Sequence, residues 1–340
     1  MDIRPKILTA KKRIYSAFES KPPAHLLTQF RQPELRTFQE FEEILRSKYF
    51  KSTVSTDEKT LARYLDSDEG KADWINQRHK RLDGFRKRII PWLDAAQSLK
   101  GAKILEIGCG TGSSTVALAE QGATVIAVDI DESSLRVAAE RCRTYDVDVE
   151  IHQVNATELH RQFSHHKFDF IIYFACLEHM THVERMSAMS DTWNMLAPGS
   201  HWCVIETPNR IWYHDHHTAW LPFYMWLPDD LAFKYARFSP RNSFSSALNE
   251  YSDEAFERML RAGRGVSYHE FDLTLGDATQ LDVVSSLGSF SRQRNRIWTY
   301  GRMLARSHNV QYGAFLRKIC PKKLHPGFLD AALDIIIRKV

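Results

Sequence analysis

The chain has 340 residues, of which 43% are hydrophobic, 26% charged and 11% aromatic, a globular mixture that excludes disorder, collagen and coiled coil. At about 150 residues per domain, the length allows roughly two units or one large domain with insertions, with a core that needs no disulfide or metal staple. A net charge of +4 is too small by itself to imply nucleic acid.

Five scattered cysteines with no CxxC pair read as reduced thiols. No leader-like apolar core marks Met1–Ser20, and no apolar run approaches the roughly 20 residues that span a bilayer. A soluble, cytoplasmic protein is expected.

Residues 1–70 read as short helical pieces broken at Pro22-Pro23 and by a polar stretch from Lys51 to Gly70, an N-terminal helical extension. From Lys71 to Leu99 the apolar residues Trp74, Ile75, Leu82, Phe85, Ile89 and Ile90 recur near helical spacing, interrupted by Pro91. A regular alternation follows: strand Lys103–Ile107, helix Ser113–Gln121, strand Thr124–Val128, and helix Glu132–Cys142 with Asp131 as its N-cap. Val149–Val154, Phe168–Tyr173 and His201–Glu206 are further strands. This predicts an α/β fold, a Rossmann-like parallel sheet with helices on both faces. After the turn Ala262-Gly263-Arg264-Gly265, Val266–Leu273 is expected as strand six and Asp334–Arg338 as strand seven. Residues 71–340 would then form the main domain. Segments 211–262 and 275–330 would be insertions that join residues 1–70 in a mostly helical cap.

The first strand runs into Glu106-Ile107-Gly108-Cys109-Gly110-Thr111-Gly112. A glycine-rich turn between strand and helix lets a ligand approach the backbone. A GxGxxG dinucleotide fingerprint would need glycine at 113, which is Ser113. Asp129, 17 residues beyond Gly112, ends the second strand, where a carboxylate can accept both ribose hydroxyls of an adenosine ligand. Asn155-Ala156 closes the third strand, where an adenine amino group can be held.

These motifs, with Leu196-Ala197-Pro198-Gly199-Ser200 before strand five, resemble the class I S-adenosylmethionine-dependent methyltransferase family over about residues 72–210. The resemblance implies S-adenosyl-L-methionine as cofactor and a seven-stranded sheet with an antiparallel edge. By it, Glu106, Gly108, Cys109, Gly110 and Gly112 surround the methionine part, Asp129 binds the ribose, and Asn155 with Ala156 flanks the adenine. Ile130 and Leu177 complete the expected cofactor contacts.

Strand four runs into Tyr173-Phe174-Ala175-Cys176-Leu177-Glu178-His179, unlike the NPPY-type motif of enzymes that methylate base amines. Cys176 reads as packing rather than as a nucleophile. Leu177-Glu178-His179 and Thr207-Pro208-Asn209-Arg210 are similar to the ubiquinone-biosynthesis O-methyltransferase branch. Some members of that branch carry a metal-binding ExxEH pattern; Ala175 stands where its first Glu would, so no metal is expected. His179 is a candidate general base, imidazole being matched to neutral pH, or else a helix cap. Of the fifteen residues from Trp212 to Trp226, six are aromatic and three histidine. Asp215 with His216 or His217 would make a base–orienter pair or equally a divalent-metal site, for which the spacing is very local. The rings would form either an acceptor-stacking loop or a small core of their own. The catalytic candidates are therefore His179, Asp215 and His217.

Between Val283 and Leu329 there is no Asp or Glu, while Arg292, Arg294, Arg296, Arg302, Arg306, Arg317, Lys318, Lys322 and Lys323 give a local charge of +9. A solvated face, a site for an anionic acceptor, and, with Trp298, Tyr300 and Phe315, an RNA or anionic-membrane contact are the readings. The leading expectation is O-methylation of a small-molecule, lipid or sugar-conjugate acceptor. An RNA or protein methyltransferase, a non-catalytic cofactor-binding module and aminopropyl transfer stay open, with nucleic acid the less favoured partner.

Overall fold

The structure, a computed structural model, describes residues 25–27, 29–248, 250–294 and 308–340. Seven strands form one sheet: β1 (Lys103–Ile107), β2 (Thr124–Asp129), β3 (Glu150–Gln153), β4 (Phe170–Phe174), β5 (His201–Pro208), β6 (Asp282–Ser286) and β7 (Ala332–Arg338). Their order is β3-β2-β1-β4-β5-β7-β6. β1 to β5 run parallel, and β7 runs antiparallel to both β5 and β6.

The central strands are apolar runs because helices cover both faces. Leu105, Ile107, Val128, Ile171, Tyr173, Trp202 and Val204 fill one core layer; Ile104, Val125, Phe170, Ile172, Phe174, Cys203 and Ile205 fill the other. That is the period of two that a strand imposes. Each large apolar side chain so buried contributes on the order of 1.5–3 kcal/mol. Three helices frame the site: α1 (Ser113–Ala119), α2 (Glu132–Tyr145) and α3 (His182–Met195). Asp131 caps α2 as its position predicts, accepting from the amides of Ser133 and Ser134. Thr181 and Glu184 form a reciprocal capping box on α3.

The order reverses between β1 and β4, whose chains leave towards opposite edges of the sheet, and a crevice opens at such a point beyond the carboxyl ends of the strands. Two further segments border it. Phe41, Leu45, Phe50 and Leu61 of the N-terminal segment form a small core with Val137 of α2. The β5–β6 connection has its own core, built of Ala219, Tyr224, Met225, Phe233, Ala236 and Met259 among others.

The expected strand Val266–Leu273 is instead a helix, Tyr268–Thr274. Ser267 and Glu270 form a capping box there, which starts a helix in a segment whose residue types alone suit a strand. Val266 keeps only an isolated bridge to Asn209. The sixth strand is Asp282–Ser286, so the connection between β5 and β6 runs over 209–281, and that between β6 and β7 over 287–331. Among the described residues no helix is long and apolar enough to cross a membrane.

Candidate active site

A cavity of about 590 Å³ opens beyond the carboxyl ends of β1, β2 and β4. Backbone builds its first wall. Gly108 and Cys109 donate to Val128 O (2.9 and 3.1 Å), which holds the turn against β2. Gly108 sits at φ +78, and a Cβ on it would lie 2.6 Å from Cys176 Cβ, so the turn tolerates no side chain there. Gly110, at φ +51, has nothing within 4 Å of where a Cβ would stand, which leaves its backbone open to the cavity. Gly112, at φ +78, packs against Ala138 of α2; it is a close-approach glycine and not part of the wall.

Asp129 is held from two sides. Gly110 N donates to Oδ2 (2.8 Å) and Asp131 N to Oδ1 (3.0 Å), which leaves further lone pairs on the carboxylate for a ligand. Burial raises its pKa above the ordinary value, against these amide bonds. Ile130 is largely exposed beside it. Asn155 caps the turn Ala156–Glu158 through Thr157 N (3.0 Å). Ile130, Val154, Asn155 and Ala156 all face the cavity.

Two expected cofactor contacts lie elsewhere. Glu106 is fully buried behind the glycine turn, where the Ser114 hydroxyl donates to it. On β1 its side chain falls on the α1 side, away from the cavity, and desolvation pushes its pKa up to about 7. Leu177 is fully buried in the core, while its neighbours Cys176 and Met180 face the cavity.

Sequence reasoning missed a third group, Tyr49, Gln77 and Arg81, which reaches the cavity from the N-terminal segment. Gln77 and Arg81 stand four residues apart on one helix face, a polar pair in an otherwise apolar-patterned run. The Thr111 hydroxyl donates to Gln77 Oε1 (3.1 Å), and Arg81 pairs with Glu206 (3.0 Å). The fully buried Arg141 donates to the carbonyls of Thr111 (2.7 Å) and Gln77 (2.6 Å), clamping this segment to the glycine turn. Desolvation lowers its pKa to about 10.

Side chains build the far end. His179 Nδ1 lies 2.8 Å from Arg261 O, so it is the protonated nitrogen and Nε2 is a bare acceptor. His217 Nδ1 lies 2.9 Å from Thr218 Oγ1. That hydroxyl donates to Gly263 O (2.9 Å), so the His217 ring also presents a bare Nε2. Burial lowers the pKa of His217. Both Nε2 atoms lie 3.9 Å from Oε1 of the fully buried Glu178, whose other oxygen accepts from Thr207 Oγ1 (3.0 Å). Arg261 grips Glu184 at the rim (2.5 and 2.8 Å) and draws that carboxyl down to about 2.

Asp215, expected as a base or orienter, lies behind the loop and outside the cavity wall. It is buried, and its carboxylate accepts from the amides of His217 (2.8 Å), Thr218 (3.0 Å) and Ala219 (2.5 Å). It shapes the loop that carries His217. Among the described residues none from 287–331 faces the cavity. Arg296, Trp298, Tyr300, Arg302 and Arg306 of the basic stretch lie outside the described residues.

Residues 104–199 match a family model described as a methyltransferase domain. The chain is 36% identical over 132 residues to the ubiquinone biosynthesis O-methyltransferase of Pseudomonas entomophila (strain L48), covering 38% of this chain and 55% of that protein. It is 34% identical over 132 residues to the enzyme of the same name from Pseudomonas fluorescens (strain SBW25), with the same coverage. The chain thus spans about half the length of the curated relatives it matches. Among solved structures, magnesium protoporphyrin IX methyltransferase from Synechocystis PCC 6803 with bound SAM is similar at 19% identity and a TM-score of 0.36, covering 55% of this chain and 83% of that one.

Proposed function

From the match of residues 104–199 to a methyltransferase domain we propose that the chain is a class I S-adenosylmethionine-dependent methyltransferase and that it methylates a hydroxyl of a small-molecule acceptor. The observation that carries this reading is a single cavity joining the amide-held Asp129 and Asn155 to the bare Nε2 atoms of His179 and His217. The donor set suits the cofactor: a fixed carboxylate for vicinal hydroxyls, an open backbone at Gly110, and a polar group with Arg81 and Gln77 over the turn.

When bound, S-adenosylmethionine supplies an electrophilic methyl on a sulfonium sulfur. Asp129 accepts the ribose hydroxyls, Asn155 and Ala156 border the adenine, and Gly108 to Thr111 lie along the methionine part. Glu106 acts from behind the turn. His217 or His179 takes the acceptor proton at Nε2, with burial lowering the His217 pKa and so favouring its neutral, proton-accepting form. Holding the two reactants in line supplies most of the rate enhancement. The described part of the N-terminal segment and the segment about 211–262 act as the cap, from which Tyr49, His217 and Arg261 reach the cavity. The segment 275–330, expected as part of it, contains the sheet strand β6 and adds no described residue to the cavity wall.

The test is release of S-adenosylhomocysteine on incubation with panels of phenolic, sugar and lipid hydroxyl compounds, beside RNA and protein extracts. Turnover confined to hydroxyl acceptors, reduced at least 100-fold in His217→Ala, supports the reading. Turnover only with RNA or protein, or unchanged turnover in His217→Ala and His179→Ala alike, contradicts it.

A further inference from the structure

At the far end of the cavity a buried carboxylate oxygen has no hydrogen-bond partner. Glu178 is 0% exposed, and its Oε1 is without a partner although its Oε2 is satisfied by Thr207. A buried carboxylate oxygen left bare is costly. Two bare imidazole nitrogens face it, each 3.9 Å away. That is too long for a hydrogen bond. The ligand atoms of Glu178, His179 and His217 all lie within 4.8 Å of one another. Ligands of one ion about 2.1 Å from each stand about 3–3.5 Å apart, so side-chain shifts of roughly an ångström bring the three onto a shared centre.

We propose that Glu178, His179 and His217 bind a divalent first-row transition-metal ion. The outer contacts are those such a site needs: each histidine commits its Nδ1 hydrogen to an oxygen, Arg261 O or Thr218 Oγ1, which fixes the tautomer and aims Nε2 inward. The space is shaped for the His217 ring as well. Gly263 lies at φ +127, and a Cβ on it would stand 2.9 Å from His217 Nδ1 and 2.8 Å from Thr218 Oγ1. Two imidazoles and one carboxylate favour zinc, cobalt or ferrous iron over magnesium or calcium, and three ligands leave positions open to the cavity.

This donor set is not the ExxEH set. The position three residues before Glu178 is Ala175, and the third ligand comes instead from the connection between β5 and β6. The inference rests on the proposed reading for one point, that the acceptor approaches here. A hydroxyl on the ion would lose its proton more readily, so the ion would take over the role the bare Nε2 atoms play alone.

The experiment uses the full chain, stripped with a chelator and free of S-adenosylmethionine. Cobalt(II) is titrated in and followed by its visible d–d absorption, and zinc(II) is followed by calorimetry. The expected result is one ion per chain, with affinity reduced about 100-fold or more in His217→Ala and in His179→Gln and unchanged in His216→Ala, whose exposed ring lies outside the cavity wall. Unaltered melting and cofactor titration of His217→Ala show that the variant is folded. No saturable cobalt or zinc binding by the wild type, or binding that survives His217→Ala undiminished, overturns the proposal. Because the ion is read without cofactor, that failure leaves the cofactor reading standing, and a failure to bind cofactor leaves the ion site standing.

Discussion

At one end of the cavity the wall is mostly backbone: Gly108 and Gly110 at positive φ, and amides that hold Asp129. At the other end it is side chains, His179 from the turn after β4 and His217 from a loop that Asp215 organises. The first end rests on strand pairing between β1, β2 and β4 and on short-range turn geometry. The second rests on contacts between residues distant in sequence, such as His179 with Arg261, 82 positions apart, and Thr218 with Gly263, 45 apart. Damage to the first end should therefore unmake the fold locally, whereas damage to the second should alter turnover and leave the cofactor end intact.

The largest expected effect sharpens that contrast within the glycine turn itself. Gly108→Ala combines a left-handed φ with a 2.6 Å clash against Cys176 and should cost about 3 kcal/mol or more. Gly110→Ala meets open space and should cost only about 1 kcal/mol. Thermal unfolding of both variants checks the ordering, and equal losses would break it.

Glu106 gives a pH signature to the cofactor end. Its folded pKa of about 7 lies above the ordinary value of 4.5, so the folded state binds the extra proton. Stability of the ligand-free protein should therefore fall as pH rises from about 4.5 to 7 and level off above. Glu106→Gln should flatten that loss and gain about 2 kcal/mol at pH 8 relative to pH 5, read by denaturant titration at the two values.

At the other end, Asp215→Asn should cost about 1–2 kcal/mol of stability by weakening three amide bonds. It should lower turnover through misplacement of His217 while cofactor affinity stays within about twofold. Because the Asp215 charge also holds the His217 pKa up against burial, the limb of the pH profile that His217 governs should move slightly to lower pH; a shift to higher pH would contradict this role. The smallest effect belongs to the rim. Glu184, drawn down to about 2 by Arg261, contributes stability that is present above about pH 4.5 and fades as pH falls towards 2. Arg261 is substantially exposed, so Arg261→Met should remove less than about 1 kcal/mol, seen in the acid limb of a melting series.

Much of the backbone end was legible from residue order alone. β1 begins and ends where its apolar run does, and the glycine turn, Asp129, the Asp131 cap and Asn155 fall where strand–helix alternation places them. The other end was not. Tyr49, Gln77 and Arg81 reach the cavity only because Arg141 and the Phe41 cluster dock the N-terminal segment, a tertiary fact with no local signature. Asp215 carries catalytic residue chemistry but spends it on amides. β6 is a short, half-polar edge strand, Asp-Val-Val-Ser-Ser, too weak a pattern to stand out, whereas the Ser267–Glu270 capping box that makes the preceding segment a helix was present to be read.

We propose that Asp129 anchors S-adenosylmethionine in this cavity. Calorimetric titration of the purified chain with S-adenosylmethionine, repeated on Asp129→Ala, tests it most directly. Two hydrogen bonds to a charged group contribute about 3 kcal/mol or more together, so micromolar binding by the wild type should weaken at least 100-fold in the variant. Equal affinity in both proteins, or no binding by the wild type to either S-adenosylmethionine or S-adenosylhomocysteine, would contradict it.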